Sequence, residues 1–226
     1  MKFILYFLTF VLVFGPSSLA QERILISSMG LDSEYRVALC GRILGSTPHE
    51  KRTRLTSGKA ILEALRGQPI RLWVHFSHGS AKRLYGNSAR YGKSYLNSGL
   101  TIVPASSKYD EASCRSLDDL DAEIREFKKI TFTEDAVIYL GSCWIGTPDT
   151  RSGQVSFAQR LANITGATVI AGRERTEPLR ETYSTLRYTN NAKFFKFRPH
   201  LPPEELSESF DLSALLREQQ QPATTP

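Results

Sequence analysis

The chain of 226 residues reads as an α/β fold, with a mostly parallel central sheet and helices packed on its faces. Three observations predict it. Residues 70–76 (IRLWVHF), 135–140 (DAVIYL) and 167–171 (ATVIA) are short apolar runs, the pattern of strands buried on both faces. Segments with helical spacing and capping residues lie between them, and this alternation favours parallel strands joined by helical crossovers. The composition, 41% hydrophobic and 23% charged, excludes a disordered chain, a collagen-like repeat and a polytopic membrane protein. Three cysteines are too few for a disulfide scaffold.

The elements follow in order. Met1 and Lys2 precede an apolar run at 3–14, which Gly15 and Pro16 break before Ser18-Leu19-Ala20. This is the pattern of a secretory signal peptide cut between Ala20 and Gln21. The run is shorter than the roughly 20 residues a spanning helix needs. The expectation is a secreted or periplasmic protein with no stable membrane anchor after cleavage. Residues 1–20 are then the signal peptide, 21–216 one α/β domain and 217–226 a disordered tail.

Arg23-Ile24-Leu25-Ile26 reads as a first strand and 35–39 (YRVAL) as another. Thr56 or Ser57 caps a helix through KAILEALR, with Ile61, Leu62 and Leu65 on one side and Gly67 at its end. The strand at 70–76 ends in Ser77-His78-Gly79-Ser80. Residues 81–114, rich in Gly, Ser, Asn and Tyr, form a long loop region with a short strand near 100–103. Ser116 caps a helix at 117–130, whose early acids and late lysines suit the helix dipole. The strand at 135–140 ends in Gly141-Ser142-Cys143. A helix at 156–164, closed by Gly166, leads to the strand at 167–171. Thr189-Asn190-Asn191 turns a hairpin between YSTLRY and AKFFKF, and Pro202-Pro203 opens a last helix through Leu216.

Without its signal peptide the chain carries 28 basic and 23 acidic residues, a net +5. The basic residues are scattered, with no aromatic-interleaved stripe, so the surface reads as solvated and no nucleic acid is expected. The four histidines and three cysteines show no metal-ligand spacing. There is no Gly-rich phosphate loop and no G-x-S-x-G elbow, and no cofactor is expected. The sequon Asn163-Ile164-Thr165 falls in a helical setting and reads as idle.

Two strand ends carry chemistry. One apolar strand runs into His78-Gly79, the other into Ser142-Cys143, and ligands of open parallel sheets bind beyond the carboxyl ends of strands. A thiol is only a few per cent thiolate at neutral pH, and a neighbouring imidazole can take its proton. His78 can then protonate a leaving amine. The backbone N–H groups of Gly79 and Cys143 can face a developing oxyanion. Ser77, Gly141, Ser142 and Trp144 flank the pair, and the small residues Gly141 and Ser142 are expected to leave space around the sulfur. His75, inside its strand, reads as a core residue, and His49 and His200 as solvated. Three cysteines in an exported chain leave one over. Cys40 and Cys114 either pair or stay buried, and Cys143 is the reactive thiol.

An apolar strand ending in His-Gly, followed by one ending in a small residue and Cys, resembles the caspase-like (clan CD) cysteine peptidases. FSHG at 76–79 and GSC at 141–143 carry that likeness. The stretch GQVSFAQRLANITGATVIAGRE is similar to the segment after the cysteine in the protease domains of bacterial RTX toxins and in DUF4347 domains of bacterial surface proteins. The resemblance spans about 24–174. It implies a caspase-like three-layer sandwich, with His78 as general base and acid and Cys143 as nucleophile. The caspase pentapeptide is absent, since Trp144-Ile145-Gly146 follows Cys143. Gly141-Ser142-Cys143-Trp144 also matches part of the papain signature, but a strand, not a helix, leads to Cys143, and only His200 follows it. The expected function is an exported cysteine hydrolase, an endopeptidase acting on peptide or protein through a thioester. The alternative is a non-catalytic recognition or envelope-interaction module on the same fold.

Overall fold

The computed structural model describes residues 22–29, 33–55, 58–80, 83–85, 100–101, 126–148, 155–175, 178–182, 185–188, 193–206 and 210–220. A seven-stranded, mostly parallel sheet organises them. Its first strands are β1 (Arg23–Met29), β2 (Glu50–Leu55) and β3 (Ile70–Phe76). A small three-stranded sheet follows, made of β4 (His78–Ser80), β5 (Arg83–Tyr85) and β6 (Leu100–Thr101). The main sheet resumes with β7 (Phe132–Gly141) and β8 (Thr168–Gly172). The remaining strands are β9 (Pro178–Thr182), β10 (Thr185–Tyr188), β11 (Phe194–Phe197), β12 (Glu204–Glu205) and β13 (Phe210–Asp211).

The order across the main sheet is β12-β11-β8-β7-β3-β1-β2. Pairing from β2 through β1, β3 and β7 to β8 is parallel. β11 and β12 add antiparallel to that edge. Four helices lie among the described residues: α1 (Glu34–Leu44), α2 (Gly58–Leu65), α3 (Phe157–Thr165) and α4 (Leu212–Glu218). None of them is long and apolar enough to cross a membrane.

Alternation along the strands divides the core. Leu25, Trp73, Ile138 and Val169 join Ile61, Leu62 and Leu65 of α2 and Phe157 and Leu161 of α3 in one buried cluster. Their strand neighbours Ile24, Ile26, Leu72, Val74, Tyr139 and Ile170 join Val37, Cys40 and Leu44 of α1 and Leu212 and Leu216 of α4 in a second. Side chains of period two point to opposite sides of a sheet, so each strand feeds both clusters. Each fully buried aliphatic side chain contributes about 1.5–3 kcal/mol.

Several expectations hold. The strand at 70–76 is β3, that at 135–140 lies within β7, and that at 167–171 is β8 displaced by one residue. The Ser156 hydroxyl accepts from the Gln159 N–H (3.2 Å) at the start of α3, and Gly166 closes it with φ 76°. Gly67, at φ 117°, follows the end of α2.

Others are corrected. Residues 35–39 are helical, not extended, because a parallel β1–β2 pair needs a crossover and α1 supplies it. Residues 50–55, where no strand is expected from the sequence, are the edge strand β2. YSTLRY and AKFFKF do not pair: β10 joins β9 and β13, while β11 joins β8 and β12. Pro202-Pro203 opens no helix. The last helix starts at Leu212, where the Asp211 carboxylate accepts from the Ser213 N–H at 2.9 Å and the Ala214 N–H at 3.3 Å. It runs past residue 216, and the Gln219 carbonyl accepts from Arg71, so 217–220 belong to the fold and not to a tail. The signal segment, Cys114, Ser116 and most of the helix expected at 117–130 lie outside the described residues.

Candidate active site

β3 and β7 are neighbours in the middle of the sheet, paired in parallel with His75 opposite Leu140 and Phe76 opposite Gly141. The next residues along each strand are therefore brought to one edge. There the Ser77 and Ser142 hydroxyls are hydrogen-bonded at 2.9 Å, and both are buried. His78 and Cys143 come directly after them, and each is half-buried. Backbone contact holds the two segments together. A Cβ at Gly79 would stand 2.6 Å from the Cys143 carbonyl oxygen, 2.8 Å from the Ser142 Cβ and 3.4 Å from the Cys143 nitrogen. Only glycine permits that approach. His78 and Gly79 also start β4, which pairs with β5 and is anchored by the fully buried Leu84.

The bare backbone at Gly141 is required by its neighbour Phe76. A Cβ there would fall 2.5 Å from the Phe76 ring, so the missing side chain accommodates Phe76. Ser142 is likewise fully buried and engaged with Ser77.

After Cys143 the chain turns under constraint. Trp144 has φ 52°, a left-handed conformation that costs a bulky residue about 1–2 kcal/mol. Its N–H donates to the Glu174 carbonyl (3.0 Å), and its own carbonyl accepts from the Thr147 N–H (3.0 Å). The Gly146 N–H donates to the Gly172 carbonyl at 2.9 Å, and the Ala158 N–H to the Ile145 carbonyl at 3.1 Å. Cys143 thus sits at the head of a turn tied to both the end of β8 and the start of α3. Nothing in the residue types marks Glu174 for this, because it acts through its backbone.

The other histidines and cysteines lie elsewhere. His75 is fully buried, and its Nδ1 is 2.8 Å from the Ser27 hydroxyl, which also accepts from the Trp73 indole N–H at 2.8 Å. Its Nε2 has no hydrogen-bond partner, and burial pushes its pKa down to about 3. His49, expected to be solvated, is half-buried beside Gly41 and bonded to the Thr47 carbonyl at 2.7 Å. His200 is exposed. Cys40 is fully buried, and burial pushes its thiol pKa up. Neither Cys40 nor Cys143 is in a disulfide. The Asn163 side-chain oxygen accepts from the Gln159 amide and the His200 N–H, so the sequon is engaged within the fold.

No group of three metal-capable side chains occurs among the described residues. A cleft of about 240 Å³ lies at the opposite ends of the strands, beside Arg23, His49 and Glu50. Arg23 and Glu50 already pair there at 2.7 Å. No family model matches the chain, and no curated protein matches it.

Proposed function

We propose that the protein is an exported caspase-like cysteine hydrolase, an endopeptidase in which Cys143 is the nucleophile and His78 the general base and acid. The observation that carries this reading is the contact of Gly79 with the Cys143 backbone, which leaves no room for a Cβ. It puts the residue after the histidine against the cysteine, although 65 positions separate Ser77 from Ser142 in sequence. The two core clusters, each with its own pair of helices, support a three-layer sandwich of the caspase type.

In this reading His78 takes the proton from the Cys143 sulfur as it attacks the substrate carbonyl. The negative oxygen of the tetrahedral intermediate faces the N–H groups of Gly79 and Cys143. His78 returns the proton to the leaving amine as the carbon–nitrogen bond breaks, leaving a thioester on Cys143. Water, giving its proton to His78, then adds to the thioester, and the thiol leaves as the acid is released.

The test is cleavage of a mixed peptide library by the mature protein and by Cys143→Ala and His78→Ala. Cleavage by the wild type, lost in both variants, is the expected result. Wild-type protein that binds peptides without cutting any would instead favour a recognition module.

A further inference from the structure

We infer that Ser77 and Ser142 are a pair of positioning residues, whose buried hydrogen bond fixes the ends of β3 and β7 so that the His78 imidazole can take the Cys143 proton. This rests on the roles proposed above for His78 and Cys143. The parallel ladder between β3 and β7 ends at Phe76 and Gly141. The next residues, Ser77 and Ser142, are buried, and their hydroxyls meet at 2.9 Å. His78 and Cys143 each follow by one residue and are half-buried. Successive Cα atoms stand about 3.8 Å apart across a fixed peptide, so a shift of either serine passes to its reactive neighbour. Proton transfer needs the two groups within hydrogen-bond reach.

Stability alone does not call for two hydroxyls here. The strands that lead to them are filled by buried apolar residues, among them Trp73, Val74 and Phe76 in β3 and Ile138 and Leu140 in β7. Two small apolar side chains would continue that pattern without the cost of burying polar groups. A bond between neutral hydroxyls adds little net stability. What it adds is direction, because it is satisfied only over a narrow range of distance and angle, whereas apolar contact is not directional. Gly79 supplies the opposite restraint. A Cβ on it would stand 2.6 Å from the Cys143 carbonyl oxygen. That contact limits how closely the two segments approach, and the serine bond limits how far they separate.

The experiment is the rate of Cys143 alkylation by iodoacetamide, followed by peptide mass mapping, at about pH 6 and about pH 9.5, below and above the usual thiol pKa. It compares the wild type, His78→Ala, Ser77→Ala, Ser77→Thr and the double variant Ser77→Ala/Ser142→Ala, each checked for folding by thermal unfolding. The double variant leaves no orphaned hydroxyl and so recovers stability. It should nevertheless react at about pH 6 roughly tenfold more slowly than the wild type, as His78→Ala does, and match the wild type at about pH 9.5. Ser77→Thr, which keeps a hydroxyl, should retain most of the rate. If the double variant does not fold, Ser77→Ala against Ser77→Thr decides in the same way. A rate at about pH 6 that depends on His78 but is unchanged without the serine hydroxyls overturns the positioning role and leaves the dyad standing. An equal loss at both pH values also overturns it, because that reports access to the sulfur. Identical profiles for the wild type and His78→Ala overturn the dyad and the pair together.

Discussion

The Ser77 and Ser142 hydroxyls meet at 2.9 Å in a buried contact that joins the residue before His78 to the residue before Cys143. Removing one hydroxyl leaves the other buried and unsatisfied, at a cost of about 1–3 kcal/mol, whereas removing both leaves no orphan. Ser77→Ala and Ser142→Ala should each lower the unfolding free energy in urea by about that amount. The double variant should cost clearly less than the two singles together. Strict additivity would show that the bond contributes nothing.

Gly79 tests the contact of the two loops. A Cβ there meets backbone at 2.6 Å, and backbone does not yield as a flexible side chain does. Gly79→Ala should cost about 1–3 kcal/mol and slow any Cys143-dependent cleavage. Gly166→Ala is the control. It carries the strain of φ 76° with nothing within 4 Å, and it should lose stability but no activity per folded molecule.

His75 should give the protein an acid-side instability. Its pKa falls from 6.5 to about 3 on folding because burial disfavours the imidazolium. The unfolded chain therefore binds the proton more tightly. The stability linked to His75 is complete above pH 6.5 and is lost as pH falls toward 3, by up to about 1.4 kcal/mol per pH unit. Denaturation between pH 7 and 4 should show a shallower loss in His75→Phe than in the wild type. Parallel profiles would contradict this.

The central strands were legible because β3 and β7 are apolar without interruption, and α3 because Ser156 and Gly166 mark its ends. β2 was not, because as an edge strand it exposes Lys51, Arg52, Thr53 and Arg54 and carries no buried pattern. The first turns of α1 offer Tyr35 and Val37, residues that suit strands, and only the parallel crossover decides for helix. For the site, residue types pointed to two strand ends, but not to the adjacency of β3 and β7, which is a matter of sheet order. The Ser77–Ser142 bond, the role of the Phe76 ring at Gly141 and the left-handed Trp144 all follow from that adjacency or from backbone geometry.

The two described cysteines should separate in a labelling experiment. Cys40 is buried with its thiol pKa raised, whereas Cys143 is half-buried at a turn. Iodoacetamide followed by peptide mass mapping should modify Cys143 in the native protein and Cys40 only after unfolding. Faster modification of Cys40 would contradict the placement of both.

The most direct test of the His78–Cys143 pairing is the rate at which Cys143 is alkylated near pH 6, compared between the wild type and a folded His78→Ala variant. If the imidazole takes the thiol proton, the wild type should react about tenfold faster or more. Equal rates in the two proteins would contradict a working dyad.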